Sequence, residues 1–286
     1  CSPSPSCAGH ASGISLQVRV GRPTSWQWQA AMQAQSDDAP RNGGRRTILM
    51  LGAVALGLWG VNRLLNRSGP LEFSDIPGAP GFRMLRTGEV SGGIVDPLIG
   101  LDAARPAPPE IADAALCGTL FAASGGGVPV ASFSDYYCPY CRVLTRELSA
   151  RAQAGRITVT WHELPLLGET SEIAARAALA ADMQGAYPEI HARLMRSRVV
   201  ATDAYLRDLA GAAGLDPGRF IRDARSAAVQ RRIDQARGLA ARFGFFGTPA
   251  LVIGRTAVLG AVSTDTLDRL IADEEKGGQT RPPVCP

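Results

Sequence analysis

Two cysteines, Cys138 and Cys141, stand two residues apart in the run Phe133-Ser134-Asp135-Tyr136-Tyr137-Cys138-Pro139-Tyr140-Cys141. Just past an apolar strand-like stretch and opening a helix-like one, this is a place where a thiolate is stabilised. Unpaired backbone N–H groups and the positive end of the helix dipole favour the charged sulfur and make it nucleophilic near neutral pH. The two-residue spacing then lets the second thiol close a ring onto the first, so the chemistry indicated is dithiol–disulfide exchange. Two readings of another class stay open at this point. One is a membrane-tethered metal-binding protein with Cys138 and Cys141 as thiolate donors, joined by Cys117 and Cys285. The other is a tethered peptide-binding chaperone whose thiols are vestigial.

The elements that must position the pair follow from hydropathy. Val128 to Phe133 reads as a strand and Pro139 to Ala152 as a helix. Ile157 to Leu164 reads as a second strand, its Ile157, Val159 and Trp161 alternating with polar neighbours. Ahead of them, Glu110 to Phe121 has helical spacing and Gly125-Gly126-Gly127 breaks it. From Glu169 to about Phe243 the chain is almost free of strand signals, with helical segments such as Ser171 to Ala181 and one opened by Asp216-Pro217. After Gly247-Thr248-Pro249, Ala250 to Ile253 and Thr256 to Leu259 form a hairpin around Gly254-Arg255, and Thr264 to Asp273 is a closing amphipathic helix. A β-α-β half, a helical block and a β-β-α half make an α/β thioredoxin fold with a helical insertion at about 166–243, inside a domain spanning 110–286.

The chain has 286 residues with 45% hydrophobic, enough for one sizeable core plus appendages. Its net charge of +4, from 30 basic and 26 acidic residues interspersed, gives no electrostatic footprint for nucleic acid. The basic residues are nearly all Arg, Lys276 being the sole Lys, which reads as composition bias. Residues 1–46 read as a doubtful leader: the first residue is Cys1, and Met32 offers an alternative start. Residues 47–65 follow Arg41, Arg45 and Arg46 and read as an uncleaved signal anchor with the rest of the chain outside. Its uninterrupted core, Thr47 to Val61, is short for a span of about 17 to 25 residues, and Leu64 and Leu65 extend it if Arg63 snorkels. Gly44-Arg45-Arg46-Thr47-Ile48-Leu49 also resembles a twin-arginine export signal. Residues 66–109, rich in Gly and Pro, read as a linker with one anchoring strand around Phe82 to Leu85.

An oxidising compartment selects for paired cysteines. Of the six, Cys1 and Cys7 fall in the leader and Cys138 and Cys141 form the local pair, which leaves Cys117 and Cys285. These are either a structural disulfide tying down the C-terminus or two idle thiols.

The region 110–275 resembles the DsbA-like thiol–disulfide oxidoreductases of the bacterial envelope. Three features carry this in order: the Cys138-Pro139-Tyr140-Cys141 run, the helical insertion with Gln184-Gly185 and Leu209 to Asp216, and Gly244-Phe245-Phe246-Gly247-Thr248-Pro249-Ala250. The resemblance implies that Cys138 is the exposed reacting sulfur and Cys141 the buried resolving one. It also implies a cis Thr248–Pro249 bond beside them, with Thr248 offering its backbone to a bound polypeptide. Tyr140 stands where strong oxidants of the family carry His and brings no positive charge, which implies a milder potential. Pro139-Tyr140 and Asp135 resemble the isomerase branch as well, although those isomerases have a separate dimerisation domain that the linker does not supply. Ser132 stands where thioredoxins have a buried carboxylate. Glu163 is a substitute in principle but reads as a solvated strand-end acid, and His162 and His191 read as surface or partly buried polar residues.

The function expected is disulfide exchange with exported cysteine-containing proteins, as an oxidant re-oxidised by a membrane partner of the DsbB type. The alternative is a reductase or isomerase kept reduced by a DsbD-type partner. Electrons reside on sulfur, so no cofactor is implied. The location implied is the bacterial periplasm, tethered to the inner membrane.

Overall fold

The computed structural model describes residues 48–54, 56–58, 71–86, 107–197 and 202–276. The chain divides into two units, Cys1–Arg67 and Ser68–Pro286. In the first, the described residues of the expected anchor, 48–54 and 56–58, are helical. Among the described residues no helix is long and apolar enough to cross a membrane.

The second unit is built on a six-stranded sheet in the order β1-β2-β6-β5-β3-β4. Its strands are β1 (Phe73–Asp75), β2 (Arg83–Arg86), β3 (Val128–Ser134), β4 (Ile157–Glu163), β5 (Ala250–Ile253) and β6 (Thr256–Leu259). The helices are α1 (Asp113–Leu120), α2 (Pro139–Gln153), α3 (Glu169–Asp182), α4 (Tyr187–Arg196), α5 (Asp203–Ala212), α6 (Pro217–Ala224), α7 (Ala227–Phe243) and α8 (Thr264–Lys276). β3 and β4 pair in parallel around the α2 crossover, whereas β5 runs antiparallel to β3 and to β6. This is the thioredoxin arrangement, with α3 to α7 inserted between its halves. The hairpin turn needs Gly254, whose φ is +52° and whose added Cβ would run into the Glu274 carboxylate. Residues 71–86, inside the stretch read as a linker, supply two strands: β1 pairs antiparallel with β2, and β2 extends the sheet in parallel beside β6.

Strand alternation divides the interior. Val130, Leu251, Ile253 and Val258 face Leu144 and Leu148 of α2 and Leu267 and Leu270 of α8. Ala131, Phe133, Ala250 and Val252 face Leu116 and Leu120 of α1 and Leu239 and Phe243 of α7. The insertion has its own core of small and aromatic residues, the alanines of α3 packing with Ile190, Leu206, Phe220 and Ile233, and Cys138 and Cys141 belong to it. The thiol pair therefore sits where the thioredoxin core and the insertion share buried surface.

α1 is tied to the sheet by His162, whose Nε2 lies 3.0 Å from the Leu120 carbonyl oxygen and whose ring stacks on Phe133. A neutral imidazole must carry its hydrogen on Nε2 to donate there. Burial lowers the His162 pKa to about 4, more than the Leu120 hydrogen bond and the Glu163 charge raise it. In the unfolded chain the group titrates near 6.5, so between about pH 6.5 and 4 the unfolded state binds a proton that the folded state refuses. Stability falls as pH drops through that window, by up to roughly 2 to 3 kcal/mol from this group. His162→Gln, which keeps a donor to Leu120 without a titrating ring, should flatten the fall in urea midpoint between pH 7 and 4.5. An unchanged slope would remove His162 from the account.

Candidate active site

α2 begins at the thiol pair for local reasons. Cys138 is extended (φ −74°, ψ 118°) and caps the helix, Pro139 fits the first helical position where no N–H is needed, and the Cys141 N–H donates to the Cys138 sulfur at 3.3 Å. A cap that is a sulfur receives the helix's unpaired donors, which favours its charged form. Arg142, one residue on, donates from Nε and Nη2 to the Tyr136 carbonyl at 3.2 and 2.9 Å, fixing the turn before the cap.

The antiparallel pairing of Phe133 with Ala250 brings the segment before β5 level with the turn after β3. The Thr248–Pro249 bond there is cis, and the Thr248 carbonyl oxygen accepts from the Cys138 thiol at 3.5 Å. Cys138, Cys141 and Thr248 are thus brought together, with Pro249 in the same loop. Pro139 is exposed, and Tyr140 is partly buried against the insertion core.

Burial pushes the Cys141 thiol well above its usual value, and its hydrogen bond to Cys138 and the Cys138 charge add to this. The backbone of Asp135 and the side chain of Thr248 pull weakly the other way. When the pair loses one proton, the charge therefore belongs on Cys138. The resolving thiol keeps its hydrogen until it reacts.

Three expectations are corrected here. Cys138 is not exposed: it is closed off completely, at 0% exposure, beneath Thr248 and the insertion core. A client sulfur reaches it only when neighbouring side chains shift, and the nearby chain offers exposed apolar side chains at Pro139, Val143 and Phe246. Glu163 is not solvated but 2% exposed, and His191 is 3% exposed; both belong to a buried hydrogen-bonded cluster with Tyr136 and Tyr187. The physical reason is the insertion: α4 lies over the end of β4 and covers what would otherwise be a strand end in water.

Asp135 is the other residue whose role was not apparent. It is 1% exposed, and four donors converge on its carboxylate. Tyr137 N–H and Ser171 Oγ donate to Oδ1 at 2.8 and 2.7 Å, and the N–H groups of Leu166 and Leu167 donate to Oδ2 at 2.8 and 3.0 Å. It ties the turn before Cys138 to the loop after β4 and to the start of α3. The sequence signals were parity and spacing. Glu163 continues the 157, 159, 161 face of β4, and Tyr187 and His191 lie four apart on the buried face of α4.

Cys117 of α1 is disulfide-bonded. Cys285, its expected partner, lies outside the described residues. A groove of about 820 Å3 lined by Ile76, Met84, Phe243, Phe246 and Leu259 meets the loop between α7 and β5 at Gly244 and Phe246. It contains neither sulfur and is not the seat of the chemistry.

The DSBA-like thioredoxin domain model matches residues 129–272, just over half of the chain. The chain belongs to that family. Its members are thiol–disulfide oxidoreductases, and this chain is an enzyme of that class. A thioredoxin-like oxidoreductase from Silicibacter pomeroyi is 35% identical, with a TM-score of 0.52, the match covering 56% of this chain and 97% of that one. Proteus mirabilis ScsC in a transitional conformation is 25% identical, with a TM-score of 0.50 and coverage of 59% and 81%. The thiol–disulfide exchange protein α-DsbA2 of Wolbachia pipientis, 23% identical with a TM-score of 0.51 over 56% and 92% of the two chains, shares the fold. No curated protein matches the chain. The DsbA-like match leaves out β1 and β2, which precede residue 129.

Proposed function

We propose that the chain oxidises thiols of exported proteins through a Cys138–Cys141 disulfide, with Cys138 the sulfur that exchanges with the client and Cys141 the one that resolves. The observation that carries this reading is the placement of the Cys138 sulfur at the cap of α2, receiving the Cys141 N–H and facing the Thr248 carbonyl. The same geometry supports the oxidant direction. A donor aimed at the Cys138 sulfur favours the reduced, thiolate form of the pair, and whatever stabilises the reduced form makes the disulfide a stronger oxidant. Tyr140 adds no charge to this, so the oxidant is a mild one.

In the forward reaction a client thiolate attacks Cys138, the Cys138–Cys141 bond breaks and a mixed disulfide forms. A second client thiol displaces Cys138, and the protein leaves as the dithiol. The exposed Pro139, Val143 and Phe246, with the Thr248 backbone, are the client-binding surface. A membrane partner of the DsbB type restores the disulfide. The setting is the periplasm, with residues 47–65 as tether and a Cys117–Cys285 disulfide holding the C-terminus to α1.

The deciding experiment is the equilibrium reduction potential of the pair against glutathione. An oxidant should lie above roughly −200 mV, whereas a value near about −270 mV belongs to a reductase fed by a DsbD-type partner and would overturn the direction.

A further inference from the structure

Four polar side chains meet in the interior that the site shares with the insertion. Tyr136 comes from the turn before α2, Glu163 from the last position of β4, and Tyr187 and His191 from one face of α4. The Tyr136 hydroxyl donates to Glu163 Oε1 at 2.7 Å and lies 2.8 Å from His191 Nδ1. The Tyr187 hydroxyl donates to the same Oε1 and lies 3.1 Å from the same Nδ1. Oε1 and Nδ1 are 3.5 Å apart.

Counting hydrogens gives the state of this unit. Both phenolic hydrogens go to Oε1, so Nδ1 must carry a hydrogen and donate to the tyrosine oxygens. The network then closes on three hydrogens and leaves two buried atoms without partners, Glu163 Oε2 and His191 Nε2. A buried polar atom with no partner is costly and calls for an explanation. Here the two vacancies share a property: each can accept a proton without any existing hydrogen bond being broken. Burial, then the Glu163 charge, hold both tyrosines well above their usual range, so they stay donors.

The unit is joined to the thiol pair through Tyr136. Its hydroxyl is in the network, its carbonyl is gripped by Arg142 of the first turn of α2, and its ring packs in the cluster that contains both sulfurs. The parallel register of Ser134 with Glu163 places the acid at the same edge of the sheet as the turn that delivers Cys138. A cavity of about 90 Å3, with His162, Glu163, Arg232 and Gln235 on its wall, has room for a few waters beside the acid.

We propose that Tyr136, Glu163, Tyr187 and His191 form a buried proton-holding unit that serves disulfide exchange at Cys138 and Cys141. This rests on the exchange reading given above. When the client thiolate attacks Cys138, the electron pair of the broken Cys138–Cys141 bond goes to the Cys141 sulfur, which takes up a proton. The unit, loaded before the attack with the proton shed as the client's first thiol ionises and held at Glu163 Oε2 or His191 Nε2, gives up that proton and is refilled by the one shed from the client's second thiol as the client disulfide forms and Cys138 leaves with its electron pair. Glu163 and His191 touch neither sulfur and act as positioning residues, through Tyr136. Other ionisable groups bear on the unit. Asp135 is held by four donors, Cys138 caps α2 and Cys141 lies in its first turn, His162 adjoins Glu163, and Arg232 of α7 acts on Tyr187.

The test measures proton uptake on reduction of the full chain's disulfide, and the rate of Cys138 alkylation, between pH 5 and 9. The wild type should show an inflection in both beyond those of the two thiols. Glu163→Gln keeps the acceptor for both tyrosines, and His191→Asn keeps a donor at the Nδ1 position while lacking Nε2. Each should erase the extra inflection and change alkylation at pH 6 by roughly threefold or more. Tyr136→Phe should leave a titrating unit that no longer registers at the thiols. Folded Glu163→Gln and His191→Asn proteins with wild-type profiles would make the cluster a packing device only and sink the proposal. If Glu163→Gln does not fold, the His191→Asn profile decides alone. Retained exchange in Cys138→Ser would instead strike the exchange reading itself, so the two failures are distinct.

Discussion

Cys138→Ser is expected to lose disulfide exchange by more than about a thousandfold, while Cys141→Ser, offered a client that already carries a disulfide, should accumulate a mixed disulfide with it. The asymmetry follows from the two environments. Cys138 caps α2 and receives the Cys141 N–H at 3.3 Å, so its sulfur is the one that carries charge and exchanges. Cys141 is 1% exposed and holds its proton tightly because burial and the neighbouring Cys138 charge oppose ionisation. With serine at 141 no internal disulfide can form, so the Cys138 thiolate attacks a client disulfide, expels one client thiolate and becomes joined to the other client sulfur, and nothing inside the protein then displaces the client. The adduct should then be visible by non-reducing electrophoresis and by intact mass, and a reductant should release it. Serine differs from cysteine by one atom, so folding should survive and circular dichroism should match the wild type. Full activity in Cys138→Ser, or adducts forming on Cys141 instead, would reverse the assignment of roles. The burial of Cys138 adds a rate effect. A small alkylating agent should react slowly with the native dithiol and much faster in mild denaturant, because the sulfur has no open path to solvent.

Much of the thioredoxin frame could be read from the sequence because its signals are local. Val128 to Phe133 is a continuous apolar run, Gly254-Arg255 marks a tight turn between two short strands, and Pro139 opens a helix. The observed strands and helices begin or end within a few residues of these marks. β1 was harder: three residues whose place depends on pairing with β2 carry almost no periodicity of their own. The site divided the same way. The two thiols follow from spacing and the Thr248–Pro249 step beside them from the resemblance to the DsbA-like proteins, whereas the exposure of Cys138, Glu163 and His191 depends on what the insertion lays over them. Nothing adjacent in sequence to Glu163 shows that α4, more than twenty residues later, will roof it. A strand-end glutamate is solvated by default, and here the tertiary contact overrides the local rule.

Asp135→Asn should be the most damaging single-atom exchange in the site, destabilising the fold by about 3 to 5 kcal/mol. The carboxylate at 1% exposure is held by four donors, two of them the successive N–H groups of Leu166 and Leu167 on Oδ2. An asparagine must place its NH2 on one side or the other. Toward the loop it faces those two N–H groups, and toward the turn it faces the Tyr137 N–H and the Ser171 hydroxyl. Either orientation sets donors against donors in a dry interior and loses the charge that strengthens all four bonds. The change should not stop at stability. The Asp135 carbonyl accepts the Cys138 N–H at 3.2 Å and its backbone contacts the Cys141 thiol, so a loosened turn moves both sulfurs. In urea, the variant should unfold at a markedly lower midpoint with a similar slope. At concentrations where it remains folded, Cys138 should alkylate faster and client oxidation should slow by roughly tenfold or more, because a displaced sulfur no longer meets the donors at the head of α2. Ser171→Ala removes only one of the four donors and leaves the charge in place, so it should cost about 1 kcal/mol and leave the alkylation rate near that of the wild type. Equal effects from Asp135→Asn and Ser171→Ala would mean that the carboxylate is not what holds the turn.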